Sequence, residues 1–255
     1  MIVVDDHSDE DKVPDLPERD HLRLLRLDPT EPSGAGQARN RGLAVARGKW
    51  ILFADCDDYY APGAIAVLDK YRESELDLLY FNFEFRDGES FEPLQSMPIA
   101  SYLSKDECTE RDWAEIRFHH KMPWTKMARK SFLDQYAVRF ENSINGNDIF
   151  YSLQVGYYAR LVALEPTPLY VYLKNPGSLV NRAKSVESAY CHLLHKMQLN
   201  HFYRFMGHPE WCLPAWKEFL CKCRLLGPSF LCYVLRRLSA ILRGRTQWVR
   251  YFRGE

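Results

Sequence analysis

Three carboxylates crowd into four residues at Asp55, Asp57 and Asp58, directly after the apolar run Trp50-Ile51-Leu52-Phe53-Ala54. Acids this close repel one another unless something positive sits among them. A hard divalent cation takes oxygen ligands, and Mg²⁺ typically uses one or two carboxylates plus substrate phosphates. An apolar run of this kind reads as a strand covered on both faces, and open α/β sheets bind ligands beyond the carboxyl ends of such strands. Asp and Pro also favour helix starts, so a cap for a helix near Pro62 explains the same acids without chemistry. A second acid pair, Asp5-Asp6, follows a short strand at the opening of the chain. A further acid, Asp148, is delivered by a Gly- and Asn-rich loop to the first turn of a helix at 149–158, where capping is again the plain alternative.

Around the first cluster the pattern is loop, helix, strand. Gly34 and Gly36 permit tight turns, and residues 37–47 place Ala38, Leu43, Ala44 and Ala46 on one small apolar face. Gly48 stands where a left-handed cap would close that helix. Arg39 and Arg41 project near its start, the end of a helix that favours anions, and each adds bidentate reach to phosphate. Further on, an amphipathic helix is expected at 62–74, a strand at 76–85 and a helix at 109–120. Two short strands are expected at 161–164 and 169–173.

Three segments together carry a resemblance. Val3-Val4-Asp5-Asp6-His7-Ser8, Ala38-Arg39-Asn40-Arg41-Gly42-Leu43, and Gly48-Lys49-Trp50-Ile51-Leu52-Phe53-Ala54-Asp55-Cys56-Asp57-Asp58 follow one another in order and at suitable spacing. Residues 1–180 resemble the family-2 inverting glycosyltransferases of the GT-A fold. The resemblance implies an α/β, GT-A-type nucleotide-binding sheet flanked by helices over 1–184, with a helical C-terminal appendage over 185–255. It implies transfer of a sugar, with inversion, from a nucleoside-diphosphate donor, UDP-linked, to a saccharide or lipid-linked saccharide in surface or capsular polysaccharide synthesis.

By the same resemblance, Asp5 or Asp6 holds the uracil ring, and Arg39, Asn40 and Asp55 line the donor side. Asp57 and Asp58 hold Mn²⁺ or Mg²⁺. Lys174 and Arg182 belong to a loop that closes over the donor phosphates. Trp124 and Lys126, in Pro123-Trp124-Thr125-Lys126, fall on the acceptor side, although Trp124 read plainly is core or a sugar-stacking platform. Asp148 is the general base. The family has a Glu-Asp pair there and this chain has Asn147-Asp148, which leaves the local tuning of the base open. Family members carry a first strand, a Pro-containing loop and a helix ahead of the point where this chain opens. Either these lie upstream of Met1 or the chain is a non-catalytic remnant. A phospho-acceptor receiver domain is a third reading, since Asp5-Asp6, Asp55 and Lys105 mimic its acidic pocket, but that fold calls for neither the Ala38–Leu43 motif nor the Asp148 segment.

Composition narrows the classes. The chain has 255 residues, 46% of them hydrophobic, enough for one well-buried domain with an appendage. Lys plus Arg and Asp plus Glu are both 34, so no overall charge draws it to nucleic acid. Seven cysteines without repeating spacing read as free thiols of a reducing compartment, with Cys212, Cys221 and Cys223 too loosely placed for a zinc site. No run approaches the roughly 18 apolar residues of a membrane span, and no basic-then-apolar leader opens the sequence. The expected place is the cytoplasm. After residue 185 three helices are expected, at 186–206, 214–226 and 229–242. Basic residues interleaved with aromatics over 228–253 suit a membrane surface at the inner face of the cell membrane.

Overall fold

The computed structural model describes residues 1–95, 101–102, 105–175, 185–244 and 247–254. They fall into two compact units, Met1–Asn142 with Asn147–Asn181, and Ser143–Gly146 with Arg182–Glu255.

The first unit begins with β1 (Ile2–Asp5) and β2 (Arg23–Arg26), a two-stranded parallel sheet with Ile2 opposite Arg23. Next come α1 (Ala35–Val45), β3 (Trp50–Leu52), β4 (Tyr59–Tyr60), α2 (Ala64–Asp69) and β5 (Leu78–Asp87). The unit continues with α3 (Glu110–His119), a 3₁₀ turn at Pro123–Thr125, β6 (Lys126–Arg129), α4 (Lys130–Gln135), α5 (Asn147–Tyr158) and β7 (Val162–Lys174).

Five strands form the main sheet in the order β3-β6-β5-β7-β4. β3, β5 and β7 run one way, with β6 and β4 antiparallel to their neighbours. The carboxyl ends of β3 and β7 therefore share one edge, and residues 53–58 cross that edge from one margin of the sheet to the other. β5 is the spine: Leu78, Leu79, Tyr80 and Phe81 are fully buried, as a strand covered on both faces requires.

Several elements differ from the pattern expected of the sequence. The two strands expected at 161–173 are one, β7, whose pairing jumps from Phe81–Glu165 to Asn82–Pro168 and leaves Pro166 and Thr167 bulged. Glu165 ties the bulge by accepting from Thr167 N at 3.0 Å and from the Tyr71 hydroxyl at 3.0 Å. Helix α1 ends through an extended Ala46, and Gly48 is not among the left-handed glycines. α2 is one short helix running into turns rather than the whole of 62–74. Lys105 pairs with Asp112 at 2.7 Å, in the cap of α3, which removes the lysine that a receiver pocket needs.

The second unit is helical: α6 (Val186–Phe205), α7 (Ala215–Leu226), α8 (Pro228–Arg236), α9 (Leu238–Gly244) and α10 (Gln247–Arg253). The helix expected at 229–242 is broken at Arg237 into α8 and α9. Ala189 and Leu193 of α6 pack with Phe230, Val234 and Ile241. Trp248 is fully buried and stacks on His195, while Phe252 packs against Phe202. Trp248 and Phe252, two of the tail aromatics expected at a membrane, are thus core residues, while Tyr251 is half-buried. Among the described residues no helix is long and apolar enough to cross a membrane.

Candidate active site

The acidic turn is held by β7. The Asp55 N–H donates to the Tyr170 hydroxyl at 3.0 Å, and that hydroxyl donates to Asp58 Oδ2 at 2.9 Å. Asp58 Oδ1 accepts from Leu173 N at 2.9 Å. Burial pushes the Asp58 carboxyl up to about 6, against those two hydrogen bonds. Its oxygens are committed to the fold. Asp57, one residue earlier, is exposed and, among the described residues, its carboxylate meets Asn175 Nδ2 at 3.4 Å.

One guanidinium joins this turn to the start of α5. Arg39 Nη2 binds Asp55 Oδ1 at 2.5 Å while Nη1 donates to Asn147 Oδ1 at 2.9 Å. Asp148 follows at once. Burial raises its pKa, and the charges of Arg39 and Lys126 pull it back. Aromatic packing fixes this approach: Phe53, at the end of β3, meets Phe140 and Tyr151 edge-on at 5.0 and 5.6 Å, and Phe140 stacks on Tyr151 at 4.2 Å. Asn40 clamps the same segment, donating to Phe140 O at 3.0 Å and accepting from Phe140 N at 2.9 Å. Gly36 permits the contact of α1 with it, since a Cβ there would lie 2.3 Å from Glu141 O.

The acid pair after β1 is also divided. Asp5 is buried and accepts from Arg26 Nε at 3.0 Å; its hydrogen bond with Ser8, then Arg26, holds its pKa low. Asp6 Oδ2 accepts from Gly34 N at 2.8 Å, and its Oδ1 is buried without a hydrogen-bond partner.

The model of glycosyl transferase family 2 matches residues 1–137, more than half of the chain. The chain belongs to that family. EpsH of Bacillus subtilis is 28% identical over 193 residues, covering 71% of this chain and 54% of EpsH. GlyG, a glycosyltransferase of Streptococcus pneumoniae, is 24% identical over 190 residues, covering 71% of this chain and 62% of GlyG. The chain spans about half the length of the curated relatives it matches. S. aureus TarS in complex with UDP-GlcNAc superposes with a TM-score of 0.60 at 18% identity, over 98% of this chain and 71% of that one. The fold is accordingly of the GT-A type.

Within this family-2 chain, the residues expected on the acceptor side lie deeper than expected. Trp124 is buried, stacked on Tyr170 at 4.5 Å and Tyr172 at 5.7 Å with Phe83 edge-on at 5.0 Å, so no face remains for a sugar. Lys126 is fully buried and donates to the carbonyls of His120 at 2.9 Å and Met122 at 2.5 Å. Burial pushes its ammonium down to about 7, offset by Asp148. His120 is buried and bound to the Thr125 hydroxyl. Asn40 serves the backbone of Phe140 rather than presenting its amide outward. Lys174 is exposed at the end of β7, and Arg182 lies outside the described residues.

Three participants escape a reading of the sequence. Tyr170 sits in an aromatic strand with nothing to single it out, Asn147 reads as a departure rather than an anchor, and Lys121 has no motif. Lys121 lies near enough to feel the charge of Asp148 and is pushed down to about 8 by burial.

Among the described residues no group of three His, Cys, Asp or Glu is placed to hold a metal ion. A divalent cation carried with a diphosphate needs fewer protein ligands, one or two carboxylates sufficing. Asp57 fits that demand with an outward carboxylate. Asp58 is half-buried, and each of its oxygens already accepts one hydrogen bond from β7.

Proposed function

We propose that this chain moves a sugar from a UDP-linked donor to a hydroxyl of a saccharide or lipid-linked saccharide, with inversion, in surface polysaccharide synthesis. The observation that carries it is Arg39, which binds the donor-side acid Asp55 and Asn147 beside Asp148 with one side chain. Family membership and the UDP-GlcNAc seen in TarS support the donor class. The name of ExoO, a succinoglycan biosynthesis protein of Rhizobium meliloti, supports the polysaccharide context. The chain works at the inner face of the cell membrane.

Asp148 takes the proton of the acceptor hydroxyl as that oxygen attacks the anomeric carbon. The bond from that carbon to the diphosphate breaks on the opposite face, and UDP leaves with the electron pair. Burial makes Asp148 a stronger base than an ordinary Asp, while the charges of Arg39 and Lys126 favour its ionised form. Asp6 Oδ1 receives an N–H of the base. Asp57 would hold Mn²⁺ or Mg²⁺, which when bound neutralises charge on the departing diphosphate. Asp58 and Tyr170 hold the turn that presents it.

UDP release from a panel of UDP-sugars with saccharide acceptors tests the reading. Asp148→Asn should lower kcat by about 10²–10⁴-fold, the usual share of a general base. Calorimetric UDP affinity should be unchanged. Because the base acts ionised, kcat/KM of the parent should rise with pH through a pKa above the ordinary Asp value and then level. Full activity in Asp148→Asn would sink the assignment. Failure of the parent chain to bind UDP would make it a non-catalytic relative.

A further inference from the structure

Helices α7, α8 and α9 are apolar on two faces. The inner face, Phe219, Cys223 and Leu226 with Phe230, Val234 and Ile241, packs on α6 around Ala189 and Leu193. The outer face exposes Trp216, Leu220 and Leu225 on α7, Leu231 and Leu235 on α8, and Leu238 and Leu242 on α9, with Trp216 at 62% and Leu225 at 67%. On α7 the exposed positions are 216, 217, 220, 221, 224 and 225, one stripe at helical spacing. A helix apolar all round belongs in an interior. Here one of its two apolar faces is uncovered.

The charges among these leucines have one sign. Lys217, Arg224 and Arg236 are exposed, and Arg237 lies over the Tyr233 ring at 3.7 Å. Glu218 is the only acid between residues 213 and 254, and Lys196 at 2.9 Å and Lys222 at 3.4 Å already neutralise it. A second copy would set like charge against like. An anionic lipid surface complements both features: leucines and an indole enter the acyl boundary, while long basic side chains reach headgroup phosphates.

We propose that the outer face of α7–α9 lies on an anionic membrane surface, with Trp216, Leu220, Leu231 and Leu235 inserted and Lys217, Arg224 and Arg236 at the headgroups. The contact surface is therefore residues 213–242, ahead of the tail, whose Trp248 and Phe252 are core. It does not depend on the transfer reaction, because binding to lipid is read without donor or acceptor.

The test is co-sedimentation of the full chain with vesicles of phosphatidylcholine alone or mixed with phosphatidylglycerol. The chain should pellet with the anionic vesicles, weaken with added salt, and stay largely in solution with the zwitterionic ones. Leu220→Ser/Leu231→Ser/Leu235→Ser removes the apolar insertion. Lys217→Gln/Arg224→Gln/Arg236→Gln keeps every leucine and guards against a folding artefact in the first variant. Each should weaken partition by at least about tenfold, at roughly 1 kcal/mol per basic residue near the surface. Wild-type chain that stays in the supernatant with anionic vesicles overturns the proposal. So does wild-type partition by the charge variant, or a dimer in light scattering that the serine variant dissolves.

Discussion

The acid pairs after β1 and after β3 are built alike and resolved in opposite order. After β1 the first acid, Asp5, is buried against Arg26, and the second, Asp6, keeps an oxygen without a hydrogen-bond partner. After β3 the later acid, Asp58, is bound by Tyr170 and Leu173, and the earlier one, Asp57, is exposed. In each pair one carboxylate is held by the fold, and on the proposed function its neighbour is the one that meets the ligand. The difference lies in what does the fixing. The first turn rests on a two-stranded sheet and on an arginine of the adjacent strand, whereas the second is pinned by backbone and hydroxyl groups of a strand at the far side of a five-stranded sheet. Two acids side by side in sequence are therefore not two equivalent ligands.

The largest effect expected from this contrast is at Asp57 and Asp58. Asp57→Ala should remove metal-dependent UDP affinity and lower transfer by on the order of 10²-fold or more, with Tm unchanged because an exposed side chain carries little stability. Asp58→Ala deletes the acceptor for two hydrogen bonds and should cost about 1–3 kcal/mol in denaturant unfolding. Calorimetry with and without Mn²⁺, beside urea melts, separates the two. If Asp57→Ala destabilises the fold as much as Asp58→Ala, the division of labour is broken.

A smaller pair of effects is expected after β1. Asp6→Asn should weaken UDP binding about tenfold, the worth of one hydrogen bond to a ligand. Asp5→Asn should leave UDP affinity intact and lower stability. The sign of its pH dependence follows from its depressed pKa: the stability lent by Asp5 is in place at neutral pH and lost as pH falls through its folded pKa, below the ordinary Asp range. Parent and Asp5→Asn melts should therefore converge in acid. Melts that stay parallel to the lowest pH at which the chain folds would remove Asp5 from this role.

What was legible in the sequence was whatever rests on short-range pattern. The apolar run before Asp55, the Gly-rich entry to α1 and the Asn-rich entry to α5 each announce their element, and the order of three motifs gives the family. What was not legible depends on partners far along the chain. Nothing in Asp57-Asp58 says which acid meets Tyr170, since that is decided by the register Tyr60–Tyr170 of β4 on β7. Pro166 and Pro168 look like a break between strands, but a bulge absorbs them and the ladder continues. Trp124 has the residue type of a sugar platform, yet three aromatic neighbours from β5 and β7 enclose it. The basic-aromatic tail reads as one amphipathic surface, but α6 takes Trp248 and Phe252 into the core and leaves the exposed apolar face to leucines further back.

The finest test of the comparison is Tyr170→Phe, because this hydroxyl comes from a distant strand, whereas the hydroxyl on Asp5 is that of Ser8, three residues along its own turn. Its loss leaves the Asp55 N–H without its acceptor and Asp58 Oδ2 without its donor, so a destabilisation of about 1–2 kcal/mol is expected. The ring itself stays, stacked on Trp124 and edge-on to Tyr60, so the core is not hollowed. Coupling then distinguishes a shared network from two separate contacts. Since Asp58→Ala already forfeits the Tyr170–Asp58 bond, the double variant should cost less than the sum of the two single changes. A strictly additive double variant would mean that Tyr170 and Asp58 support the turn independently, and the tie between β7 and the acidic turn would then rest on Leu173 and the Asp55 amide alone.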